Sequence, residues 1–170
     1  MIRIGLLSDT HGLVPQGLWN FFEKCDEIWH AGDIGNDIGL LELAGTRMLR
    51  AVYGNIDGNE NRVKYPEKLR FFCEATEVLM THTGGYPGHY DRSIRQEINA
   101  SPPKLFICGH SHILKVIYDK KLELLHLNPG AAGIYGWHKF STAMRFVIEG
   151  SDIRELEIWE LARGSADKSE

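Results

Sequence analysis

Short apolar segments that each end in a glycine-led polar turn recur in the first third of the chain. Residues 2–8, 27–31 and 47–53 all have this form. Brief apolar runs bounded by such turns are typical of buried strands. Residues 16–24 and 37–44 lie between these strands and suit helices. The sequence therefore predicts a β-α-β-α-β opening, which requires parallel strands in one sheet.

After Pro66 the pattern changes to strands with fewer helices between them. One helix is predicted over residues 91–100, ending before Pro102 and Pro103 because proline removes a backbone donor and restricts the residue before it. The predicted strands cover residues 68–73, 78–81, 105–108, 115–118, 122–127, 142–148 and 153–159. Residues 115–118 and 122–127 suit a hairpin. The sequence thus predicts an α/β fold with a substantial antiparallel component.

Length and composition predict a single domain. The chain has 170 residues, of which 43% are hydrophobic and 25% charged, as in ordinary globular domains. No linker divides residues 1–162. The tail, residues 163–170, has no apolar side chain larger than alanine, so it is predicted to be disordered.

Charge, hydropathy and cysteine content narrow the partners and the compartment. The net charge is −4 and the basic residues are scattered, which disfavours binding to a nucleic-acid polymer. No apolar run approaches the roughly 18 residues of a membrane span, so no membrane partner is expected. The three cysteines are widely separated, as in reducing compartments, and are predicted to be core residues. With no signal-like leader, a cytoplasmic location is expected.

Residues that can bind metals stand just after the predicted strands. They are Asp9 and His11 in SDTHG, Asp33 in AGDIG, Asn55 in GNID, His82 in MTHTGG, and His110 and His112 in GHSH. Side chains beyond the carboxyl ends of neighbouring strands converge on one crevice, so these seven are predicted to form one site. The adjacent glycines, which let the backbone pass close to a ligand, are Gly12, Gly32, Gly54, Gly84 and Gly109.

The donor types indicate the kind of metal and the reaction. Imidazole mixed with carboxylate suits divalent manganese, iron, cobalt or zinc, and the donors alone do not choose among the four. Two divalent ions would outweigh two aspartates and a bridging hydroxide, leaving positive charge to face the substrate. Such a centre attracts phosphate and lowers the pKa of the bridging water. The predicted reaction is therefore hydrolysis of a phosphate ester.

Each motif also has an ordinary structural explanation. A single Gly-Asp or Gly-Asn pair is usually only a turn, and the two histidines of GHSH are about as well explained by a solvated pair. It is the series of five motifs that favours a metal site. His30, His126 and His138 are predicted to have core or surface roles, with His30 alternatively supporting the site through hydrogen bonds. Tyr86, Tyr90 and Arg92 are candidates for substrate contact.

The order D-x-H, G-D, G-N-x-D, a lone histidine before two glycines, and G-H-x-H resembles the calcineurin-like metallophosphoesterases. The short chain and the G-N-x-D form are similar to the small bacterial and archaeal phosphodiesterases, a group related to the eukaryotic retromer scaffold subunit. The resemblance spans Asp9 to His112 and continues through Asn128-Pro129-Gly130. It implies a four-layer α/β/β/α sandwich of two mixed sheets flanked by helices.

The resemblance also implies roles for individual residues. Asp9, His11 and His112 would hold one metal, Asn55, His82 and His110 the other, and Asp33 would bridge the two. Manganese is favoured, with iron, cobalt and zinc as alternatives. Asp33, Asn55 and His82 would act in catalysis, in which a metal-bridging hydroxide attacks a small phosphate ester, most readily a phosphodiester.

One position departs from the pattern of many superfamily phosphatases. Their motif is G-N-H-E, and its histidine is thought to protonate the leaving group, whereas this chain has Ile56 there. Asp57 and His89 are the alternative proton donors, or the leaving group needs no proton.

A second function is compatible with the same fold. A non-catalytic scaffold would use the fold as a protein-binding surface, marked by exposed apolar patches. The seven candidate ligands argue against it, since a pure scaffold has no physical need for them. Assembly into a homo-oligomer is left open.

Overall fold

The structure is a computed structural model that describes residues 1–163. The chain order is β1 (Ile2–Leu7), α1 (Gly17–Phe21), β2 (Glu27–His30), α2 (Ile38–Ala44), β3 (Met48–Ala51), α3 (Asn59–Lys64), β4 (Lys68–Cys73), β5 (Thr76–Thr81), β6 (Gly85–Tyr86), β7 (His89–Tyr90), α4 (Arg92–Ala100), β8 (Leu105–Ile107), β9 (Lys115–Asp119), β10 (Leu124–Asn128), β11 (Phe140–Glu149) and β12 (Asp152–Ala162).

The strands form two mixed five-stranded sheets. The first has the order β12-β11-β1-β2-β3, with β1, β2 and β3 parallel and β11 antiparallel to β1. The second has the order β4-β5-β8-β10-β9, in which β5, β8 and β10 are parallel and the two edge strands run antiparallel to their neighbours. In each sheet three parallel strands therefore end at the same side.

Apolar side chains fill three layers between the elements. Trp29, Met144 and Ile107 belong to the core that joins the two sheets. On the outer face of the first sheet, the buried residues of α1 and α2 pack against Leu7 and Ile28. On the outer face of the second sheet, α4 buries its two isoleucines against side chains of β5 and β8. The predicted α/β/β/α sandwich is confirmed.

The sequence predictions and the structure differ at a few elements. The β-α-β-α-β opening, the hairpin of β9 and β10 and the helix α4 are confirmed. Helix α1 is shorter than predicted, because residues 22–24 form turns in place of a further helical turn. Helix α3 was not predicted, since Asn61 is its only buried residue and no apolar period marks it. The small hairpin of β6 and β7 was not predicted.

Arg163, the first residue of the predicted tail, is the last residue that the structure describes. Arg163, which the prediction assigned to the tail, donates from its backbone N–H to the carbonyl oxygen of Lys139 at 3.0 Å and from its guanidinium to the carbonyl oxygen of Gly136 at 2.6 Å. Residues 164–170 lie outside the described residues. The three cysteines are buried and free, as predicted. Within residues 1–163, no helix combines the length and the apolar character that crossing a membrane would need.

Candidate metal centre

The seven predicted ligands lie in loops that follow the carboxyl ends of β1, β2, β3, β5 and β8. Backbone hydrogen bonds hold these loops together. Asp9 donates to the carbonyl oxygen of Gly32 at 2.9 Å, and Gly109 donates to that of His82 at 2.9 Å. The second bond joins the loop after β8 to the loop after β5, which is its neighbour in the second sheet. His82 Nδ1 also lies 2.8 Å from the carbonyl oxygen of Ala31, which follows β2 of the first sheet. The structure brings all seven residues together, as the strand-end argument predicts.

The first ligand group consists of Asp9, His11 and His112, whose ligand atoms lie within 4.8 Å of one another. His112 Nε2 is 3.1 Å from Asp9 Oδ1. Asp9 Oδ1 and His11 Nε2 are buried and have no hydrogen-bond partner in residues 1–163. Buried polar atoms without partners are costly, so two of them converging on one point indicate a missing ligand.

The second group consists of Asp33, His82 and His110, again with ligand atoms within 4.8 Å of one another. Asn55 belongs to it as well, because its Oδ1 is 3.1 Å from His82 Nε2 and 2.9 Å from His110 Nδ1. Asp33 faces both groups. Its Oδ1 is 3.2 Å from His82 Nε2, and its Oδ2 is 3.7 Å from His11 Nε2. This is the geometry that a bridging carboxylate requires.

The hydrogen bonds of His82 determine which of its ring nitrogens can bind a cation. Its Nδ1 is 2.8 Å from the carbonyl oxygen of Ala31, which only accepts, so Nδ1 carries the hydrogen. Its Nε2 then faces the oxygens of Asp33 and Asn55. Atoms this close need a proton or a metal cation between them. Burial alone would lower the pKa of His82, but Asp33 and Asp9 outweigh it and raise this pKa.

Left-handed backbone conformations are concentrated at the centre. Eight non-glycine residues in 1–163 have positive φ, and five of these are predicted ligands: Asp9 (53°), His11 (48°), Asp33 (55°), His110 (65°) and His112 (58°). The left-handed region is uncommon for such residues and costs free energy that the surroundings must offset. Its concentration here is characteristic of a functional site.

Gly54 and Gly109 are required by close approach to the two carboxylates. A Cβ at Gly54 would overlap Asp33 Oδ1, and a Cβ at Gly109 would overlap Ser8 Oγ and lie 2.8 Å from Asp9 Oδ2. No larger residue fits at either position without moving a carboxylate. The prediction that the backbone passes close to the ligands is confirmed at these two glycines.

Supporting hydrogen bonds orient the carboxylates. Ser8 Oγ and the backbone N–H of His110 donate to Asp9 Oδ2 at 2.6 and 3.1 Å, which leaves Oδ1 as the free oxygen. The backbone N–H of Ile56 donates to Asp33 Oδ1 at 3.0 Å. Burial alone would raise the pKa of Asp33, but the hydrogen bonds to His82 and Ile56 lower it. Both carboxylates are thus held in fixed orientations.

Asp57 does not suit the role of proton donor that the sequence left open for it. Its carboxylate accepts backbone N–H bonds from Gly54, Gly35 and Ile34 at 2.7, 2.8 and 3.1 Å. Burial would raise its pKa, but these bonds and one from Asn61 lower it. Asp57 is therefore ionised and holds the loops that carry Asp33 and Asn55. His89 is exposed, with its ring 5.1 Å from that of Tyr86.

His30 has the supporting role that the sequence left open for it. Its Nδ1 accepts from the backbone N–H of Gly32 at 3.1 Å, so its Nε2 carries the hydrogen and donates to Thr10 Oγ1 at 2.9 Å. Thr10 Oγ1 then donates to the carbonyl oxygen of Ile34 at 3.0 Å. Burial lowers the pKa of His30 to about 4, so the ring is neutral. This chain of bonds connects the loops after β1 and β2.

His126 has the core role that the sequence predicted, and His138 lies in a loop beside the first ligand group. The His138 ring lies 5.1 Å from that of His112, edge to face, and its Nδ1 is buried without a partner in residues 1–163. His126 is buried within β10 against Phe106. His138 follows the end of β10 by ten residues, so the strand-end rule does not reach it.

The three candidates for substrate contact have different surroundings. Tyr90 is buried and donates to Asp119 Oδ2 at 2.8 Å, so its role is structural. Tyr86 lines a cavity of about 270 Å³ that also contains His110, and Lys115 Nζ lies 4.7 Å from its ring centre. Arg92 is exposed at the start of α4. Of the three, Tyr86 borders the ligand groups.

Sequence reasoning missed an arginine beside the second ligand group. Arg62 lines a cavity of about 220 Å³ together with Asn55 and His82. Its Nε donates to the carbonyl oxygen of Asp57 at 2.7 Å, and its guanidinium carbon lies 4.5 Å from the Tyr53 ring centre. The one sequence signal for Arg62 is its position just after the GNID turn, on the segment that forms α3.

The fold and the donor set together define a metal-binding protein of the α/β-sandwich type. The unpartnered Asp9 Oδ1 and His11 Nε2, and the lone pair of His82 Nε2, fit divalent cations that prefer mixed nitrogen and oxygen ligands. Residues 2–151 match the calcineurin-like phosphoesterase superfamily domain. The chain belongs to this superfamily, whose members are hydrolases that act on phosphate esters and use divalent metal ions.

Individual relatives agree with this assignment. A probable metallophosphoesterase of Methanothermobacter thermautotrophicus is 29% identical over 137 residues, covering 75% of this chain and 76% of that protein. The structure of Vps29 from Entamoeba histolytica in complex with zinc has a TM-score of 0.72 at 15% identity, covering 95% of this chain and 99% of that one. A structure described as that of a novel archaeal phosphodiesterase has a TM-score of 0.66 at 21% identity, with coverage of 95% and 99%. The last two likenesses show the fold.

Proposed function

We propose that this chain hydrolyses phosphate esters, and phosphodiesters in particular, at a centre that holds two divalent metal ions. The observation that carries the proposal is the position of Asp33, whose two carboxylate oxygens face separate ligand groups. The likeness to the archaeal phosphodiesterase supports the choice of diesters.

The residues of the chain divide between two metal positions. Asp9, His11 and His112 would hold the first ion, Asn55, His82 and His110 the second, and Asp33 would serve both. When bound, two such ions neutralise the charge of a phosphoryl group and lower the pKa of a coordinated water. Manganese is the proposed native metal, and the zinc complex of Vps29 makes zinc the first alternative.

The protein's own contribution is to fix the ligands and to bind the substrate. Ser8, Ile56 and Ala31 hold Asp9, Asp33 and His82 in orientation before any ion arrives. Arg62 lines the cavity beside Asn55. Its two terminal nitrogens have no partner in residues 1–163, so their N–H groups are free to bind the oxygens of a phosphate.

The position of Ile56 determines which esters would react. Ile56 is 45% exposed, and its side chain has no proton to give. Asp57 is ionised and engaged in loop hydrogen bonds, so it does not replace the missing acid. We therefore propose that the preferred esters have leaving groups, such as phenolates, that depart without protonation.

The test is a substrate panel on protein stripped of metal and reloaded with manganese, zinc, cobalt or iron. We expect hydrolysis that requires the added metal, and a higher kcat/KM for a bis-aryl phosphodiester than for a dialkyl phosphodiester. Calorimetry with each metal separates a failure to bind metal from a failure to turn over. Two bound ions with no hydrolysis of any monoester or diester would contradict the proposal.

The scaffold function is supported less well. Its support is the similarity of this fold to that of Vps29, which is about 15% identical to this chain. A scaffold gains nothing from the buried and unpartnered atoms of Asp9 and His11, which reduce stability in the absence of a ligand. The phosphoesterase function accounts for them.

A further inference from the structure

The loop of residues 133–140, called the 133–140 loop below, crosses the first ligand group. At its start, the backbone N–H of Gly133 donates to the carbonyl oxygen of Asp9 at 3.1 Å. At its middle, a Cβ on Gly136 would lie 2.7 Å from His112 Nδ1, and Gly136 has a φ of 116°. The backbone at Gly136 therefore lies against the His112 ring. Tyr135 precedes Gly136 in the chain and Trp137 follows it.

Both neighbours of Gly136 are aromatic and exposed. The Tyr135 ring lies 6.2 Å from the His11 ring, and 57% of Tyr135 is exposed. Trp137 is fully exposed, whereas Trp29 is completely buried. Ile134, next to Tyr135, is half exposed. Large apolar side chains grouped on a surface mark a binding site for another molecule. Here Tyr135 borders His11, and Gly136, which precedes Trp137, lies against the ring of His112.

The 133–140 loop is held in place by several hydrogen bonds. The Arg163 guanidinium donates to the carbonyl oxygens of Gly136 and Gly133 at 2.6 and 3.3 Å. Ser141 Oγ donates to the same Gly133 oxygen at 3.0 Å, and His138 Nε2 lies 3.3 Å from it. A loop backbone tied at these points leaves only the side-chain rotamers to be ordered when a ligand binds, which favours affinity.

We propose that Tyr135 and Trp137 form an aromatic wall that stacks the planar organic group of the substrate. The substrate class is then a phosphate ester that carries an aromatic ring system, such as an aryl or nucleoside ester. This inference rests on the proposed function, which puts the phosphate at the metal centre. Flat rings suit the wall because an aromatic side chain stacks on any π-face, and Tyr and Trp do so with few rotatable bonds to fix.

The dimensions favour a small substrate over a protein partner. The exposed large apolar side chains in residues 133–140 are Ile134, Tyr135, Trp137 and Phe140. A stable protein interface buries about 800 Å² on each partner and takes roughly 20 residues a side, which exceeds what four side chains supply. Two aromatic side chains are enough to stack one ring system next to a phosphate.

The experiment uses two phosphonates that share the anionic group but have no ester bond to cleave. Phenylphosphonate carries the ring, and methylphosphonate does not. With the metal-loaded protein, calorimetry and quenching of the exposed tryptophan fluorescence should give a Kd about tenfold lower for phenylphosphonate. Trp137→Ala should remove most of this advantage and leave the Kd of methylphosphonate unchanged. Tyr135→Ala should remove a smaller part.

The matched control is Phe72→Ala. Phe72 is an aromatic residue that is 65% exposed on the edge strand β4, outside the loops of the centre. It should leave both dissociation constants unchanged. A preference for phenylphosphonate that survives both Trp137→Ala and Tyr135→Ala would overturn the inference, even with esters hydrolysed normally. If the metal-loaded protein binds neither phosphonate and hydrolyses no ester, the proposed function and this inference both fail.

Discussion

Buried histidines lie in two regions of the molecule, the candidate metal centre and the outer face of the second sheet, and their surroundings differ. In the centre, His82 contacts Asp33 and Asn55 and belongs to one of two ligand groups. On the outer face, His126 stacks on Phe106 with ring centres 5.4 Å apart, and neither of its nitrogens has a partner in residues 1–163. His126 belongs to neither ligand group.

The backbone conformation also differs between the two regions. His126 lies in a regular strand, in register with Phe106 of β8 and Ile117 of β9. Around the centre, five predicted ligands have left-handed φ values. A single buried polar atom without a partner is therefore only a cost in stability. Several such atoms that converge from strained loops indicate a ligand. The predictions below test this distinction, beginning with the largest expected effect.

Asp33→Asn should remove function without removing the fold. The substitution takes away the charged oxygen that serves both ligand groups, so kcat/KM should fall by at least about a thousandfold and metal binding should weaken at both positions. The amide oxygen can still accept from Ile56, so the melting temperature of the metal-free protein should not fall. Turnover, metal content and thermal unfolding in a chelator are the measurements.

The control for this variant is Asp37→Asn. The Asp37 carboxylate accepts from Lys64 and Tyr65 and belongs to neither ligand group. This substitution should leave turnover and metal content unchanged. An Asp33→Asn protein that still binds two ions and hydrolyses esters at the wild-type rate would refute the bridging role.

His126→Leu should have the opposite effect, leaving function intact and changing how stability depends on pH. Burial lowers the pKa of His126 from 6.5 to about 4, so between these values the unfolded chain binds a proton that the folded chain does not. Protonation thus favours unfolding as the pH falls. His126 should contribute a loss of about 3 kcal/mol between pH 7 and pH 4, and the leucine variant should lack this loss.

The measurement is urea unfolding of the metal-free protein at pH 7 and pH 4. His30→Leu is the comparison, because burial also lowers the pKa of His30 to about 4 but its ring has two hydrogen bonds. That variant should lose stability at pH 7 as well, since Thr10 and Gly32 lose their partner. If His126→Leu and wild type have the same difference between the two pH values, His126 is not the buried neutral group inferred here.

Most of the centre could be predicted from the sequence, because strand-end position is a local property. Asp9, Asp33 and His82 each follow an apolar strand. Because parallel strands end at the same side of a sheet, these side chains come together. His126 lies inside a strand pattern and was correctly left out. The sequence could not show that His126 lacks a partner, since that depends on side chains brought in by β8, β9 and α4.

The parts that were missed depend on contacts between distant segments. Helix α3 has no apolar period, and Arg62 gains its surroundings only when α3 folds over Tyr53. His138 follows β10 by ten residues, and only the path of the 133–140 loop brings it to His112. The ionised state of Asp57 depends on three backbone N–H groups from two loops. None of these is a property of a local sequence pattern.

A pair of glycine substitutions tests how closely the backbone packs against the ligands. Alanine at Gly54 would bring its Cβ into overlap with Asp33 Oδ1, whereas alanine at Gly58 would meet nothing within 4 Å. We expect Gly54→Ala to lower the free energy of unfolding by about 2 kcal/mol and to weaken metal binding, as overpacking forces Asp33 to move. Gly58→Ala should change stability by less than about 0.5 kcal/mol. Equal effects in urea unfolding would show that Gly54 is not tightly packed.

Arg62→Gln has the smallest expected effect. It tests whether residues outside the two ligand groups contribute to substrate binding. Arg62 belongs to neither ligand group but shares a cavity with Asn55 and His82, and its two terminal nitrogens have no hydrogen-bond partner in residues 1–163. If they bind phosphate oxygens, the substitution should raise KM and the inhibition constant of inorganic phosphate by about tenfold, with kcat and metal content unchanged.

Arg62→Lys should recover only part of this loss, because an ammonium cannot form the two parallel hydrogen bonds of a guanidinium. Arg95→Gln, an exposed arginine on α4 outside both cavities, is the control and should leave KM unchanged. A KM for Arg62→Gln equal to that of wild type would limit the functional region to the ligand groups and the 133–140 loop. A parallel fall in kcat and metal content would instead mean that Arg62 acts through Asp57 and the loop of Asn55, which its Nε holds by a bond of 2.7 Å to the Asp57 carbonyl oxygen.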